Sequence, residues 1–221
     1  MLAKKNTLKL SDGSLECLKW LALVLMSADH ISTFLYNGEL QYLNNAGRVA
    51  FPIFAFVFAY NLSRDNAERF FKRSLVRLVA FGAVATPIFI SLGEIHNYLP
   101  LNIMFTLAAG LLCVAAFKQE KYIETACIVI LVGFAVEYSW VGLTLILSSY
   151  CLIKNGTDRA LYCCLISLAL LFLINGSFYA FLAAPIILLF SVCKLKIPRF
   201  KWAFYVYYPL HLAILWLIQV T

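Results

Sequence analysis

The sequence predicts an all-α fold: a polytopic transmembrane helix bundle of about nine spans with a cytoplasmic N-terminus. Of the 221 residues, 63% are hydrophobic and only 13% are charged, whereas soluble domains are about half apolar and a quarter charged. The mean hydropathy is +0.85. Most charged residues stand between long apolar runs, so the net charge of +7 reflects membrane topology and gives no reason to expect a nucleic-acid partner.

The apolar runs give the expected membrane crossings. Several of them are shorter than the roughly 20 residues that a transmembrane helix needs. The predicted spans are 15–36, 46–62, 74–93, 99–117, 123–138, 140–153, 160–174, 178–193 and 202–220. No internal repeat, low-complexity tract or linker separates them, so residues 1–221 are expected to form a single integral-membrane domain.

Lysine and arginine positions predict the orientation, because short cytoplasmic loops collect these residues. With the N-terminus inside, fifteen of the 18 lie in cytoplasmic segments, within 4–9, 64–73, 118–121, 154–159 and 194–201. The outer loops carry Glu39, Glu94 and Glu137 instead. One long helix over 123–153 would place Lys154 and Arg159 outside. Two short helices that turn at 137–139 are therefore expected.

Ionisable side chains inside the spans are the first functional candidates. A charge in hydrocarbon costs from about 3 to more than 10 kcal/mol, so such groups face a bundle interior or a wet cavity. Because imidazole transfers protons near neutral pH, four residues are candidates for a catalytic site: Asp29, His30, Arg48 and His211. The alternatives are a structural ion pair between Asp29 and Arg48, and a neutral, hydrogen-bonded His211.

Two further sets of residues are candidates for binding. Asn102 and Thr106 share a helical face at the outer end of the fourth span, which suits a substrate or equally a polar contact between helices. A basic series at the inner end of the third span suits the phosphates of a cosubstrate or of lipid headgroups. This basic series consists of Arg69, Lys72, Arg73 and Arg77. The seven cysteines show no metal-ligand spacing, so no metal is expected.

Five segments occur in a distinctive order along the chain. They are LKWLALVLMSADHI, GRVAFPIFAFVFAYNL, RLVAFGAVATPIF, LNIMFTLAAGL and FYVYYPLHLAIL. Together they resemble the TraX family, which comprises the conjugal pilin acetylase and related fimbrial assembly proteins. The resemblance covers nearly the whole chain except residues 118–199. That family is similar to multispanning membrane acyltransferases, which carry an acyl group from a cytoplasmic thioester to an acceptor across the membrane.

The resemblance implies a multi-pass N-acetyltransferase of the bacterial inner membrane, acting in pilus or fimbria biogenesis. Acetyl-CoA would be the cosubstrate, and a pilin or fimbrial subunit in the lipid bilayer would be the acceptor. In this hypothesis Asp29 orients or charge-balances His30, which meets the acceptor. Arg48 and Asn102 would hold the carbonyl oxygen, and the basic series would bind the CoA phosphates. The alternatives are a non-catalytic fimbrial assembly factor and a small transporter; the sequence indicates no oligomeric state.

Overall fold

The computed structural model describes residues 8–93, 99–193 and 195–221. Within these ranges the protein is all-helical and has no β-strand, apart from one isolated bridge between Leu101 and Val136. Four charged residues of the predicted loops lie outside the described ranges: Lys4, Lys5, Glu94 and Lys194.

The helices follow one another along the chain with short connections. The first half contains α1 (Asp12–His30), which continues as a π-helical stretch (Ile31–Leu35), then α2 (Gln41–Gly47), α3 (Ala50–Leu62), α4 (Glu68–Gly93) and α5 (Ile103–Lys118). The second half contains α6 (Tyr122–Cys127) with its π-helical continuation (Ile128–Val132), α7 (Ser139–Asn155), α8 (Asp158–Leu170), α9 (Phe172–Asn175), a 3-10 turn (Tyr179–Leu182), α10 (Ala183–Val192) and α11 (Ala203–Val220).

Local residue chemistry fixes several helix ends. Ser11, Asn102 and Thr157 cap the N-termini of α1, α5 and α8, and each side-chain oxygen accepts a hydrogen bond from a backbone amide of the first turn. Such caps satisfy amides that have no partner within the helix. α7 ends at Gly156, whose φ of 60° is a left-handed conformation that glycine adopts without steric cost.

Four helical segments are long and apolar enough to cross a membrane: Asp12–Leu35, Glu68–Gly93, Asp158–Asn175 and Ala203–Val220. Other predicted spans fall on shorter apolar helices, namely Ile103–Lys118, Tyr122–Val132 and Tyr179–Val192. The helical fold and its membrane character are thus supported, and the count of nine spans stays a prediction. The predicted span 123–138 is also shorter than expected, because its helical part ends at Val132.

Ion pairs and hydrogen bonds join segments that are distant in the sequence at one end of the bundle, here called the basic end. Its contacts are Arg64 with Asp12, Lys154 with Asp65 at 3.2 Å, Lys118 with Glu68 at 2.8 Å, and the Ser14 hydroxyl with the Cys193 carbonyl at 2.5 Å. Each basic segment predicted to be cytoplasmic has described residues at or beside this end. The segments therefore share one side of the protein, as the topology requires.

Helix α3 is the centre of the bundle, since ten of its 13 residues are buried. It packs mainly against α7 and α1. Helix α1 runs from Asp12 at the basic end to His30, a distance of about 27 Å at about 1.5 Å per residue. His30 and the chain that enters α3 through Gly47 therefore lie together at the opposite end, here called the cavity end.

Candidate functional site

The two histidines predicted inside the membrane contact one another. His30 is the last residue of α1, His211 lies within α11, and 2.8 Å separates Nδ1 of His30 from Nε2 of His211. The two rings lie nearly parallel, at an interplanar angle of 9°. His211 is only 7% exposed. The structure therefore unites two candidates that are 181 residues apart in the sequence.

A backbone carbonyl fixes the tautomers of this pair. Nδ1 of His211 lies 3.0 Å from the Tyr207 carbonyl oxygen, which can only accept, so this nitrogen carries a proton. Nε2 of a neutral His211 is then an acceptor, and Nδ1 of His30 donates to it. The remaining nitrogen of a neutral His30, Nε2, carries a lone pair. That nitrogen is suited to accept a proton from a neighbouring group.

No hydrogen bond joins Asp29 to His30 in the described part of the chain, and the expectation that Asp29 balances the charge of His30 stays a prediction. Consecutive residues on a helix point in different directions, and the structure gives His30 a hydrogen bond with His211 instead. Asp29 packs against Gly47 of α2: a Cβ atom built on Gly47 would lie 2.2 Å from the Asp29 Cβ. Only a glycine permits this close approach of α2 to α1.

The predicted ion pair between Arg48 and Asp29 is also absent. Both residues belong to the described part of the chain, and the ion pairs found there involve other residues. Arg48 nevertheless lies close enough to Asp29 and Glu137 to interact with both electrostatically. Its guanidinium therefore contributes positive charge to the cavity end without being bound to one carboxylate.

A cavity of about 30 Å³ lies beside His30. A water molecule needs about 10 to 15 Å³ on this measure, so the cavity has room for about two groups of that size. Asp29, His30, Glu137, Tyr138 and Tyr208 are among the residues that line it. Among the described residues, no hydrogen-bond partner is found for three buried oxygen atoms of this lining: Asp29 Oδ1, Glu137 Oε2 and the Tyr208 hydroxyl.

Glu137 is a site residue that the sequence did not reveal. The Leu101 amide donates to the Ala135 carbonyl at 2.7 Å, and the Glu137 amide donates to the Leu101 carbonyl at 2.9 Å. These two backbone hydrogen bonds join the turn 133–138 to Leu101, in the segment that leads into α5. Glu137 consequently lines the cavity, whereas an acid at a turn between apolar runs is typical of a solvated loop.

Asn102 and Thr106 are buried between helices. The Asn102 amide nitrogen donates to the Gly82 carbonyl and the Thr86 hydroxyl of α4, and its oxygen accepts from the Met104 amide. These contacts use both amide hydrogens and the oxygen, so the geometry favours the alternative of a polar contact between helices. The Thr106 hydroxyl is buried and has no partner among the described residues.

The basic series lies along α4, towards the basic end. Arg69, Lys72 and Arg73 are exposed, and the guanidinium carbon of Arg77 lies 4.1 Å from the centroid of the Trp202 ring. The series does not line the cavity. Its member Arg77 lies between the two ends, because it contacts Tyr205, which precedes His211 by six residues, or about 9 Å, on α11. The structure brings His30 together with His211 and Asp29 near Arg48, and it does not bring these residues to the basic series.

A model of the family described as TraX protein matches residues 14–219, nearly the whole chain. The chain belongs to the TraX family. The match includes α1 and α11, and therefore both histidines of the cavity end.

Two relatives of this TraX family protein match most of its length. It is 30% identical to "Protein TraX" of Escherichia coli, over 93% of this chain and 87% of the relative. It is 26% identical to "Probable fimbrial assembly protein FimC, serogroup H1" of Dichelobacter nodosus, over 90% of this chain and 92% of that protein. The name of the second relative connects that protein with fimbrial assembly. No solved structure matches the chain.

Proposed function

We propose that this TraX family protein is a membrane-embedded acetyltransferase of pilus or fimbria biogenesis in the bacterial inner membrane. It would transfer an acetyl group from acetyl-CoA to the N-terminal amine of a pilin-type subunit. The observation that carries the proposal is the His30–His211 pair, whose tautomers leave a lone pair on His30 Nε2 beside a cavity. A positioned imidazole of this kind is the usual general base of an acyl transfer.

The reaction requires that protons leave the acceptor nitrogen. The nitrogen of a protonated amine loses one proton before it attacks the acetyl carbon and a second after the C–N bond has formed. The C–S bond breaks, the departing thiolate takes one proton, and the other passes to water. His30 Nε2 is the group that accepts a proton from the nitrogen. Its Nδ1 proton lies on a hydrogen bond to His211, so the pair shares the charge that results.

Arg48 is suited to stabilise the oxygen of the acetyl group. Negative charge develops on this oxygen as the nitrogen attacks, and a fixed cation in a site of low dielectric lowers the barrier. Arg48 is half-buried, lies near the cavity carboxyls and forms no ion pair with either of them within the described chain. Its charge is therefore not neutralised by a bound carboxylate.

The basic series fits the phosphates of acetyl-CoA, which supplies the activated acyl group. Arg69, Lys72 and Arg73 are exposed cations, and guanidinium groups bind phosphate oxygens in a bidentate manner. Trp202 supports Arg77 through a cation–π contact, which limits the positions of its guanidinium group. The series lies towards the basic end, where a cytoplasmic donor would be expected under the predicted topology.

Replacing Arg77 with glutamine is expected to raise the apparent KM for acetyl-CoA about tenfold, with little change in the KM for the acceptor. The physical reason is the loss of a charge-assisted contact to phosphate. Steady-state kinetics with both substrates varied would measure it. Arg159→Gln is a matched control, because Arg159 is an exposed arginine outside the series. An equal rise in both KM values would indicate a damaged fold.

Mass spectrometry of envelope proteins, with and without the gene, tests the proposed function. The expected result is one acetyl group on the N-terminus of a pilin or fimbrial subunit, present only when the gene is intact. A strain that carries His30→Ala should give the unmodified mass. Loss of pili with no acetylated protein in the intact strain would contradict the proposal. It would favour a non-catalytic assembly factor, which the name of the Dichelobacter relative also suggests.

A further inference from the structure

Three buried oxygen atoms of the cavity form no hydrogen bond of normal geometry with the described residues: Asp29 Oδ1, Glu137 Oε2 and the Tyr208 hydroxyl. The Ile103 backbone lies near enough to interact with Glu137 and Tyr208, but it completes no bond to these two atoms. The Tyr208 side chain is only 1% exposed. Buried polar atoms in native proteins are almost always hydrogen-bonded, so each exception needs an explanation. Their convergence on one cavity suggests that all three share a partner that binds there.

Charge and hydrogen-bonding capacity define that partner. Ionised carboxylates only accept hydrogen bonds, and a tyrosine hydroxyl can accept as well. A bound cation favours the ionised form of nearby carboxyls, and with both ionised Asp29, Glu137 and Arg48 together carry one negative charge. A group that complements them carries one positive charge and several N–H donors. A primary ammonium, with three donors, meets both conditions.

The size of the cavity and its neighbours agree with an ammonium group. About 30 Å³ accommodates one or two water-sized groups, such as the terminal nitrogen of a chain and the carbon attached to it. No group of three His, Cys, Asp or Glu side chains that would hold a metal ion occurs in the described part of the chain. His30, which lines the same cavity, has a nitrogen that accepts a proton.

We propose that the cavity binds the N-terminal ammonium group of the acceptor, with Glu137 and Asp29 as its charged partners and the Tyr208 hydroxyl as an additional acceptor. The identity of the acceptor rests on the proposed function. The ammonium is bound in its charged form and then loses one proton to Nε2 of His30. This arrangement selects amines over alcohols, because a neutral hydroxyl would leave the net negative charge of Asp29, Glu137 and Arg48 unbalanced.

Binding of a small amine to the purified full-length protein tests the proposal without acetyl-CoA. The probe is alanine methylamide, compared with N-acetylalanine methylamide, which has the same skeleton without the charge. A ligand that binds only the folded protein raises its melting temperature. The free amine is expected to raise the melting temperature in detergent, and the acetylated form is expected to leave it unchanged. Equal shifts with both probes would overturn the proposal.

Glu137→Gln is expected to raise the Kd for alanine methylamide about tenfold or more, because a charge-assisted hydrogen bond is lost. Glu137→Asp should restore part of the affinity. The matched control is Glu39→Gln, which makes the same chemical change at an exposed position and should leave the Kd unchanged. Melting without probe reports whether each variant folds, and Asp29→Asn provides a second variant if Glu137→Gln does not. An unchanged Kd in both folded variants would refute the site.

Two further outcomes separate this inference from its alternatives. If sodium or calcium chloride at the same ionic strength displaces the amine, the cavity binds metal cations and the proposal is wrong. If the amine binds through Glu137 but no acetylated protein is found in cells, the ammonium site stands and the acetyltransferase function fails. If acetylated protein is found in cells but neither Glu137→Gln nor Asp29→Asn changes the Kd for the amine, only the ammonium site is rejected.

Discussion

Replacing His30 with alanine is expected to lower acetylation about 100-fold or more while the protein keeps its cellular level and its melting temperature in detergent. A general base contributes about 100- to 10,000-fold to the rate. In the neutral histidine pair, Nε2 of His30 carries no proton and can accept one. Its ring packs beside a cavity, so after truncation water can enter the enlarged space and donate to His211 Nε2 in place of His30. Acetyl transfer to a purified subunit, normalised to folded enzyme, measures the effect.

The structural alternative predicts a different pattern. If Asp29, His30 and Arg48 only hold helices together, each single truncation should lower protein level and melting temperature in step with activity. Removing Asp29 or Arg48 would leave the other charge, with which it interacts electrostatically, uncompensated in a partly buried site. The double variant Asp29→Asn with Arg48→Gln removes both charges together. Recovery of folding without recovery of acetylation would support the catalytic role. A folded His30→Ala protein with full activity would leave His211 as the remaining candidate base.

Gly47→Ala is expected to destabilise the protein by about 1–3 kcal/mol, the usual cost of overpacking a tight interior, and to lower acetylation further than the loss of folded protein explains. The added Cβ would lie 2.2 Å from the Asp29 Cβ and 2.7 Å from its carboxyl carbon. Asp29 belongs to α1 next to His30, so relief of this overlap must move α1 or α2 and displace the carboxylate. Denaturation in detergent and acetylation per folded molecule measure the two effects.

Gly110→Ala is the matched control for this prediction. A Cβ at Gly110 would also meet a neighbour closely, at 2.6 Å, but that neighbour is the Cδ1 atom at the far end of the Ile146 side chain. Isoleucine can change rotamer to relieve the overlap, whereas a Cβ bound directly to the backbone cannot. We expect Gly110→Ala to cost less stability and to leave activity per folded molecule near wild type. If both substitutions lower stability and activity per folded molecule equally, the packing of Gly47 against Asp29 has no specific effect on the site.

Sequence reasoning found His30 and His211 because charged or polar groups within apolar runs are conspicuous. It could not predict their contact, because nothing local to Asp29-His30 specifies which of several distant helices will pack there. It also assigned Asp29 to His30 through adjacency in sequence, although neighbours on a helix face different ways. The pairing of α1 with α11 depends on packing across the whole bundle, and that information is distributed over many side chains.

Glu137 and Asn102 show two other limits. Glu137 was placed with the acids of the outer loops, because a buried turn held by backbone bonds to Leu101 leaves no pattern in one sequence. The role of Asn102 could have been predicted from the sequence, because an asparagine directly before an apolar helix is a common N-cap. In the structure Asn102 is the N-cap of α5. The catalytic and binding roles of the predicted site residues stay predictions.

The short helical segment Tyr122–Val132 has a consequence for the surrounding lipid. Its eleven residues rise only about 16 Å, roughly half of the 30 Å hydrocarbon core of a bilayer, and its side chains include the highly exposed Ile123 and Leu131. Acyl chains beside this face are expected to compress so that their height matches the protein. The turn that carries Glu137 follows directly, so under the predicted topology headgroups and water would be drawn inward towards the cavity. The protein would in this way open a hydrated entrance through deformation of the membrane, without moving a helix.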